Sequence, residues 1–237
     1  VLSRKVFIAT ALPGLSFGIN LVFVFATLQE ATVSVLSTVV AMQPALLLVL
    51  AGPLFHEYPT GRQFTFTLAG VLGAVGVILG AGSEIRSSWL GVGLAALSLV
   101  TFTLYFVLTR LARSDNEVDP IEWMAGINIW AFLSTIIPIL LLADRSDWAQ
   151  FGGNDWLWIA IVAFVTGVFG HVLMTWLHGH LEAARSSLYI LTMHLVAVGL
   201  AWWIHDESIT WLQMISGGVV LLCVALVVTA PDRREVR

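Results

Sequence analysis

Two histidines, His171 and His194, lie deep inside long apolar stretches of the sequence, where few side chains can do chemistry. An imidazole titrates within the physiological pH range, so at such a depth it could carry a coupling proton or hydrogen-bond a polar solute. Both residues are therefore candidates for proton coupling and for solute binding. A neutral histidine that only satisfies a backbone carbonyl is the alternative.

Smaller polar side chains follow the helical period and are candidates for lining a solute cavity. Ser98, Thr101 and Tyr105, for example, fall on one face of a helix. Two alternatives stay open, because Ser and Thr can bond back to their own helix and an Asn can bridge two helices structurally. The predicted cavity-lining residues are Asn20, Ser37, Thr101, Tyr105, His171 and His194.

Other features of the sequence argue against catalysis and against a bound cofactor. His171, His178 and His180 are close in sequence, but no acidic or cysteine ligand shares their depth, which disfavours a metal site. We also find no clustered catalytic constellation. The sequence therefore predicts a protein that is not an enzyme, needs no cofactor and binds no nucleic acid.

The elements that must position these residues are membrane-spanning helices. The chain is 58% hydrophobic and 11% charged, with a mean hydropathy of +0.91, whereas an ordinary soluble domain is about 25% charged. A transmembrane helix needs about 20 apolar residues. We predict an all-α polytopic membrane protein with eight such helices, at residues 6–28, 33–55, 64–82, 89–109, 123–143, 156–177, 186–204 and 210–230.

The distribution of cations predicts the orientation of these helices. With eight spans both termini share one side, and that side receives nine of the 11 Lys and Arg residues, while only Arg86 and Arg145 fall on the other. Cytoplasmic loops are the ones enriched in Lys and Arg. We therefore expect a multi-pass protein of the cell (inner) membrane with cytoplasmic N- and C-termini.

One short pattern occurs twice, 150 residues apart: Glu57, Thr60 and Gln63 match Glu207, Thr210 and Gln213. Thr-x-x-Gln is the spacing of a capping box, so each copy predicts the start of a helix. Five predicted helices separate the matching units, so the copies must face opposite ways across the membrane. Inverted repeats of this kind are typical of secondary transporters, whose binding site lies near mid-membrane. Two unrelated helices that share good caps are the alternative.

These segments resemble the EamA-type members of the drug/metabolite transporter superfamily. The similarity is clearest in "MQPALLLVLAGPLFHEYPTGRQ", "GVLGAVGVILGAG" and "HDESITWLQMISGGVVLLCVALVV". Pro44 matches the proline of the family's first repeat, and His194 stands where the second repeat usually has one. The resemblance implies two five-helix repeats. We expect residues 1–83 to be a first repeat of three helices that lacks the first two, and 84–237 to be a complete second repeat.

The resemblance also implies a function. We expect a permease or exporter that moves small amino-acid-like or drug-like amphipathic solutes by alternating access. A strongly anionic substrate is disfavoured, because the eight predicted spans contain no Asp, Glu, Lys or Arg. The expected partners are the small-molecule substrate, the lipid bilayer and a second copy of the chain in a homodimer. The alternative is a non-transporting membrane scaffold, or a remnant that a partner completes.

Overall fold

The structure is a computed structural model in which every element of the described residues is a helix. It describes residues 2–55, 60–80, 88–113, 118–142, 152–181, 189, 191–192, 195–196, 199–200, 202–203 and 209–228. The elements are α1 (Arg4–Ala9), α2 (Ala11–Glu30), α3 (Val33–Val40), α4 (Gln43–Phe55), α5 (Gly61–Gly80), α6 (Trp89–Ala112), α7 (Pro120–Leu142), α8 (Asp155–Val162), a π-helical segment (Ala163–Gly170), α9 (His171–His180) and α10 (Trp211–Val228).

The predicted spans correspond only in part to these helices. Five stretches are long and apolar enough to cross a membrane: α2, α5, α6, most of α7, and Asp155–Leu177, which runs from α8 into α9. The predicted spans 33–55 and 210–230 contain shorter apolar helices, Val35–Leu50 and Trp211–Leu226. The span 186–204 lies largely outside the described residues. The chain is an all-helical, multi-pass membrane protein, and the count of eight spans stays a prediction.

Prolines account for two interruptions that the spans did not predict. The chain leaves the helix at Thr10 and at Ala41–Met42, and Pro13 and Pro44 follow each break within one turn. A proline has no N–H to donate to the carbonyl four residues earlier, so the helical ladder fails there. The predicted spans 6–28 and 33–55 are each two helices in sequence.

Contacts divide the chain into two compact units. The first unit comprises Val1–Phe25 and Val100–Leu181, and the second comprises Ala26–Leu99 and Glu182–Arg237. Each unit therefore combines residues from both predicted repeats. A compact unit is defined by contacts and a repeat by its sequence, so the repeat boundary near residue 83 stays a prediction.

The two predicted capping boxes form in the second unit. Gln63 N–H donates to Thr60 Oγ1 at 3.1 Å, and Thr60 N–H donates to Gln63 Oε1 at 2.8 Å. The corresponding distances for Gln213 and Thr210 are 3.2 and 2.9 Å. The repeated pattern thus starts α5 and α10 in the same way, as the sequence predicts.

The helices that follow the two boxes run antiparallel. Thr210 Oγ1, at the start of α10, donates to the carbonyl of Gly80, at the end of α5, at 3.0 Å. A Cβ built on Gly73 would lie 2.9 Å from Val220, and one built on Gly80 would lie 2.8 Å from Gln213. The two copies of the motif therefore lie at opposite ends of this pair, about 30 Å apart along a 20-residue helix. Inversion of the complete repeats stays a prediction.

We expect Thr210→Ala to destabilise the protein more than Thr60→Ala does. Each substitution removes a cap worth about 1 kcal/mol, but only Thr210 also holds α5, through the carbonyl of Gly80. The second hydrogen bond adds about another 1 kcal/mol. Thermal unfolding of the purified variants in one detergent measures the difference, and Thr→Ser at each site, which keeps the hydroxyl, is the matched control. Equal losses at the two sites would contradict the interhelical role.

Two pairs of glycines at four-residue spacing, Gly14 with Gly18 and Gly76 with Gly80, are helix-packing sites. In the first unit, Cβ atoms built on Gly14 and Gly18 would lie 2.9 and 2.6 Å from the carbonyl oxygens of Ile127 and Ala131 on α7. Gly76 and Gly80 bring α5 against Ser216 and Gln213 of α10 in the second unit. Both crossings depend on close approach of the backbones, which small residues permit.

Candidate functional site

The first unit contains a cluster of aromatic rings around one of the predicted histidines. Phe17 of α2, Tyr105 of α6 and His171 of α9 are mutually close: ring centroids are 4.9 Å apart for Phe17 and Tyr105, 4.8 Å for Phe17 and His171, and 6.4 Å for Tyr105 and His171. The imidazole meets both rings edge-on, and Phe102 stacks on Tyr105 at 6.0 Å. We call Phe17, Phe102, Tyr105 and His171 the aromatic cluster.

Hydroxyl groups lie beside the aromatic cluster. The phenol of Tyr105, which is 2% exposed, donates to Sδ of Met124 at 3.8 Å, and a thioether is a weak acceptor. The hydroxyls of Thr109 and Thr175 lie next to this phenol. Both are fully buried, and beyond this phenol neither has a hydrogen-bond partner among the described residues. Buried hydroxyls beside aromatic rings are suited to a ligand with a ring and a polar substituent.

The structure brings together two of the predicted cavity-lining residues, Tyr105 and His171. Asn20 and Thr101 belong to the same unit; Asn20 is buried, Thr101 is half-buried, and each has an interaction partner within the fold. Ser37 lies half-buried on α3 and belongs to the second unit. His194 lies outside the described residues. Binding of a solute by any of these residues stays a prediction.

A π-helical segment precedes His171. It spans Ala163–Gly170 and contains Gly167, and His171 begins α9 directly after it. A π-helical turn contains an extra residue, so it changes which residues share a face on its two sides. The α-helical period assumed from the sequence thus holds for α9 but does not extend back into α8.

The comparisons with known proteins identify the family. The profile of the EamA-like transporter family matches residues 89–229, which is more than half of the chain. The chain belongs to this family. That membership confirms the resemblance inferred from the repeated motif, and the apolar helices agree with a multi-pass membrane protein.

Individual relatives of this EamA-like protein are more distant. It is 26% identical to an uncharacterised transporter, sll1319, of Synechocystis sp., over 87% of this chain and 63% of that protein. It is also 28% identical over 120 residues to the haem-binding subunit MsrQ of protein-methionine-sulfoxide reductase from Ralstonia nicotianae, covering 46% of this chain and 54% of that protein. The chain thus spans between half and two thirds of the length of these curated relatives.

A crystal structure of a protein shares the fold of this EamA-like chain. The TM-score is 0.73 at 16% sequence identity, and the match covers 94% of this chain and 75% of the other. At this identity the similarity supports the fold alone.

A polar stripe extends from the aromatic cluster along α6 of this EamA-like protein. Thr101, Tyr105, Thr109 and Arg113 are each four residues apart and therefore share one face. Arg113, which directly follows α6, is buried, and its Nη1 donates to the carbonyl of Val118 at 2.6 Å. Burial lowers the pKa of the Arg113 guanidinium, whereas the attraction of Asp119 raises that pKa. A guanidinium stays protonated in proteins, so the stripe ends in a positive charge.

Sequence reasoning missed several residues of this site. Thr109 and Arg113 continue the spacing of Thr101 and Tyr105, so the four-residue period was a usable signal for both. Phe17 carried no signal, because a Phe in an apolar helix is ordinarily lipid-facing or part of a helix contact. Thr175 lies four residues after His171, and the same period could have identified it.

Among the described residues, no group of three or more His, Cys, Asp or Glu could hold a metal ion.

Proposed function

We propose that this protein is a carrier of small amphipathic solutes, working by alternating access across the cell (inner) membrane. The observation that carries the proposal is the aromatic cluster inside a unit of a transporter-family fold, with the buried hydroxyls of Thr109 and Thr175 beside it. Rings of a solute can stack on these side chains, while Thr109 and Thr175 offer hydrogen bonds. Amino-acid-like and drug-like solutes have this combination of an apolar body and polar groups.

One feature favours cytoplasmic termini for this carrier, and another favours alternating access. The side that the topology assigns to the termini receives nine of the 11 Lys and Arg residues. The antiparallel pair of α5 and α10 also agrees with inverted repeats. Inverted repeats give two alternative arrangements of similar energy, one open to each side, which is the requirement for alternating access.

We infer that His171 contributes to proton coupling of this transport. Its imidazole contacts Phe17 and Tyr105 and is half-buried, so a change of its charge acts directly on the aromatic cluster. In proteoliposomes that contain the full-length chain, a pH gradient should drive solute accumulation in the unaltered protein. We expect His171→Gln to abolish gradient-driven accumulation, because glutamine cannot carry a proton in this pH range, and to keep solute exchange without a gradient.

The matched control for His171→Gln is His180→Gln. His180 is on the same helix but is exposed, stacks on Trp176 at 4.3 Å and bonds the Trp176 carbonyl at 2.8 Å. We expect this variant to accumulate solute normally. His194→Gln, alone and combined with His171→Gln, tests the other predicted histidine. If the double variant retains gradient-driven uptake, proton coupling through these residues is wrong. If the unaltered chain moves no amphipathic solute with or without a gradient, the carrier function itself is wrong.

The similarity to the haem-binding subunit MsrQ gives a second candidate function, haem binding. The three histidines in the part of the chain that the structure describes, His171, His178 and His180, all belong to α9. A haem held between two histidines needs them on opposite sides of its plane, and one helix face cannot provide that. We therefore expect α9 by itself to hold no haem, so that in protein produced with a haem precursor in the medium His171→Gln leaves any Soret absorption unchanged. A Soret band that His171→Gln abolishes would favour haem binding instead.

A further inference from the structure

Arg113, at the end of the polar stripe, is buried with too few partners. It is 1% exposed, and Nη1 is satisfied by the Val118 carbonyl at 2.6 Å. Its Nε and Nη2 atoms are buried without any hydrogen-bond partner. A guanidinium that has lost its hydration and has unpaired N–H groups is strongly unfavourable, and such groups in native proteins are ordinarily satisfied. The described residues therefore offer no hydrogen-bond acceptor to Nε and Nη2 at this position.

A second unpartnered donor belongs to the buried core of the first unit, against which Val118 packs. Trp123, in the first turn of α7, is buried, and its indole Nε1–H has no partner. Val118, whose carbonyl holds Arg113, packs against the buried core that contains Trp123. Arginine and the indole group are donors only. The missing partner is thus an acceptor, and the positive charge of Arg113 favours an anionic one.

The nearby carboxylates of the described residues are bound elsewhere. Asp119 Oδ1 accepts from the N–H groups of Ile121 and Glu122, at 2.7 and 3.1 Å, and so caps α7. Glu122 Oε1 accepts from the N–H of Ser3 at 2.7 Å. Asp119 attracts Arg113 electrostatically but does not bond its Nε or Nη2. These carboxylates are part of the fold and do not satisfy Nε or Nη2 of Arg113.

Arg113 and Tyr105 of the aromatic cluster are linked along the polar stripe of α6. Tyr105 and Arg113 lie eight residues apart on one helix face, which is a rise of about 12 Å, with Thr109 midway. The buried hydroxyl of Thr109 is a polar group between them. An amphipathic anion would thus find a guanidinium at one end of the stripe and stacking rings at the other.

We propose that Arg113, with Trp123 and Thr109, forms a carboxylate-binding subsite and that the solutes of this protein are small monocarboxylates with an apolar or aromatic body. The guanidinium edge with Nε and Nη2 matches the two oxygens of a carboxylate, which it can bind in bidentate geometry. The transport part of this inference rests on the proposed carrier function, whereas binding at Arg113 does not. A single negative charge is compatible with the otherwise uncharged spans.

The test is a binding titration of the full-length protein in a neutral detergent. Phenylacetate is the probe, and phenylacetamide, with nearly the same shape and no charge, is its control. We expect phenylacetate to raise the melting temperature saturably and phenylacetamide to raise it far less. We expect Arg113→Gln to weaken phenylacetate binding at least about tenfold, as loss of a charge-assisted pair implies. Arg62→Gln, which alters an exposed arginine, should bind normally.

Arg113→Lys keeps the experiment decisive if Arg113→Gln does not fold. Lysine retains the charge but not the two-pronged geometry, so we expect a folded variant that binds with intermediate affinity. Equal phenylacetate affinity in the unaltered, Lys and Gln proteins overturns the subsite. If phosphatidylglycerol stabilises the protein through Arg113 and phenylacetate does not, a lipid headgroup is the occupant and the proposal is wrong. If phenylacetate binds only after Asp115→Asn and Glu117→Gln, the chain's own carboxylates occupy the site, which also overturns it.

Flux measurements separate this inference from the carrier function. Uptake of labelled phenylacetate into proteoliposomes, lost in Arg113→Gln, supports both. Phenylacetate binding that depends on Arg113, without any flux, supports the subsite and contradicts the carrier function. Flux of neutral amphipathic solutes without binding of phenylacetate supports the carrier function and contradicts the subsite.

Discussion

Gly18→Leu will prevent α2 from packing on α7 and will leave little folded protein. A Cβ at this position lies 2.6 Å from the carbonyl oxygen of Ala131 and 2.9 Å from its Cα, and closer still to Ser134 Oγ. Two of these atoms are backbone and cannot rotate away. Overpacking a well-packed contact typically costs about 1–3 kcal/mol and occasionally more, and we expect Gly18→Leu at the upper end because the two helices must separate.

Separation of α2 from α7 also affects the contacts that α1 makes with α7. Trp130 Nε1 donates to the carbonyl of Phe7 at 2.7 Å, and the two rings stack at 4.8 Å. Thr10, at the break between α1 and α2, packs against Gly126, where a Cβ would overlap it. These contacts depend on the same helix separation, so their loss adds to the effect of the leucine.

Gly93→Ala is the matched control for Gly18→Leu. Gly93 lies inside α6, and a Cβ built on it meets nothing within 4 Å. Alanine has the higher helix propensity, by up to about 1 kcal/mol, so Gly93→Ala should be neutral or stabilising. Size-exclusion profiles and thermal unfolding in detergent measure both variants. A monodisperse Gly18→Leu protein that melts with the unaltered chain would show that α2 and α7 do not approach as closely as the structure has them.

Local signals explain which parts of the fold were predictable. The capping boxes at Thr60 and Thr210 need only residues three apart, so the sequence predicts them directly. Glycines such as Gly14 and Gly18 likewise indicate a close helix contact, although not which helix is the partner. The predicted spans rest on apolar length alone, and a proline adds to that length although it has no N–H to donate. The breaks near Pro13 and Pro44 were therefore not predicted.

The candidate site was less predictable because its residues come from three separated helices. Phe17, Tyr105 and His171 belong to α2, α6 and α9, and no pattern in the sequence pairs them. From the sequence, Arg113 counted only as one of the nine cations on the predicted cytoplasmic side. It is buried, and it bonds the carbonyl of Val118, which packs on the core. Tertiary packing of this kind cannot be inferred from the period of a single helix.

Tyr105→Ala will reduce transport at least about tenfold if the solute binds to the aromatic cluster. The substitution removes the ring that contacts Phe17 at 4.9 Å and Phe102 at 6.0 Å and leaves Thr109 and Thr175 facing a cavity. Truncation of a large buried aromatic side chain to Ala costs about 3–5 kcal/mol of stability. Loss of one stacking partner for a bound ring costs about 1–3 kcal/mol of binding, by analogy with aromatic stacking on bases, and every 1.4 kcal/mol is a factor of ten.

Tyr105→Phe separates binding from folding in this experiment. It keeps the ring and removes only the hydroxyl, whose acceptor Met124 Sδ lies 3.8 Å away, so the loss of stability should stay below about 1 kcal/mol. If the phenol bonds the solute, Tyr105→Phe raises KM while the maximal rate and the melting temperature change little. Phe132→Ala, which truncates an exposed ring of the same unit, controls for the general effect of losing an aromatic side chain. Because Phe132 is exposed and is not part of the aromatic cluster, equal transport losses in Phe132→Ala and Tyr105→Ala would contradict a role of the cluster in the solute pathway.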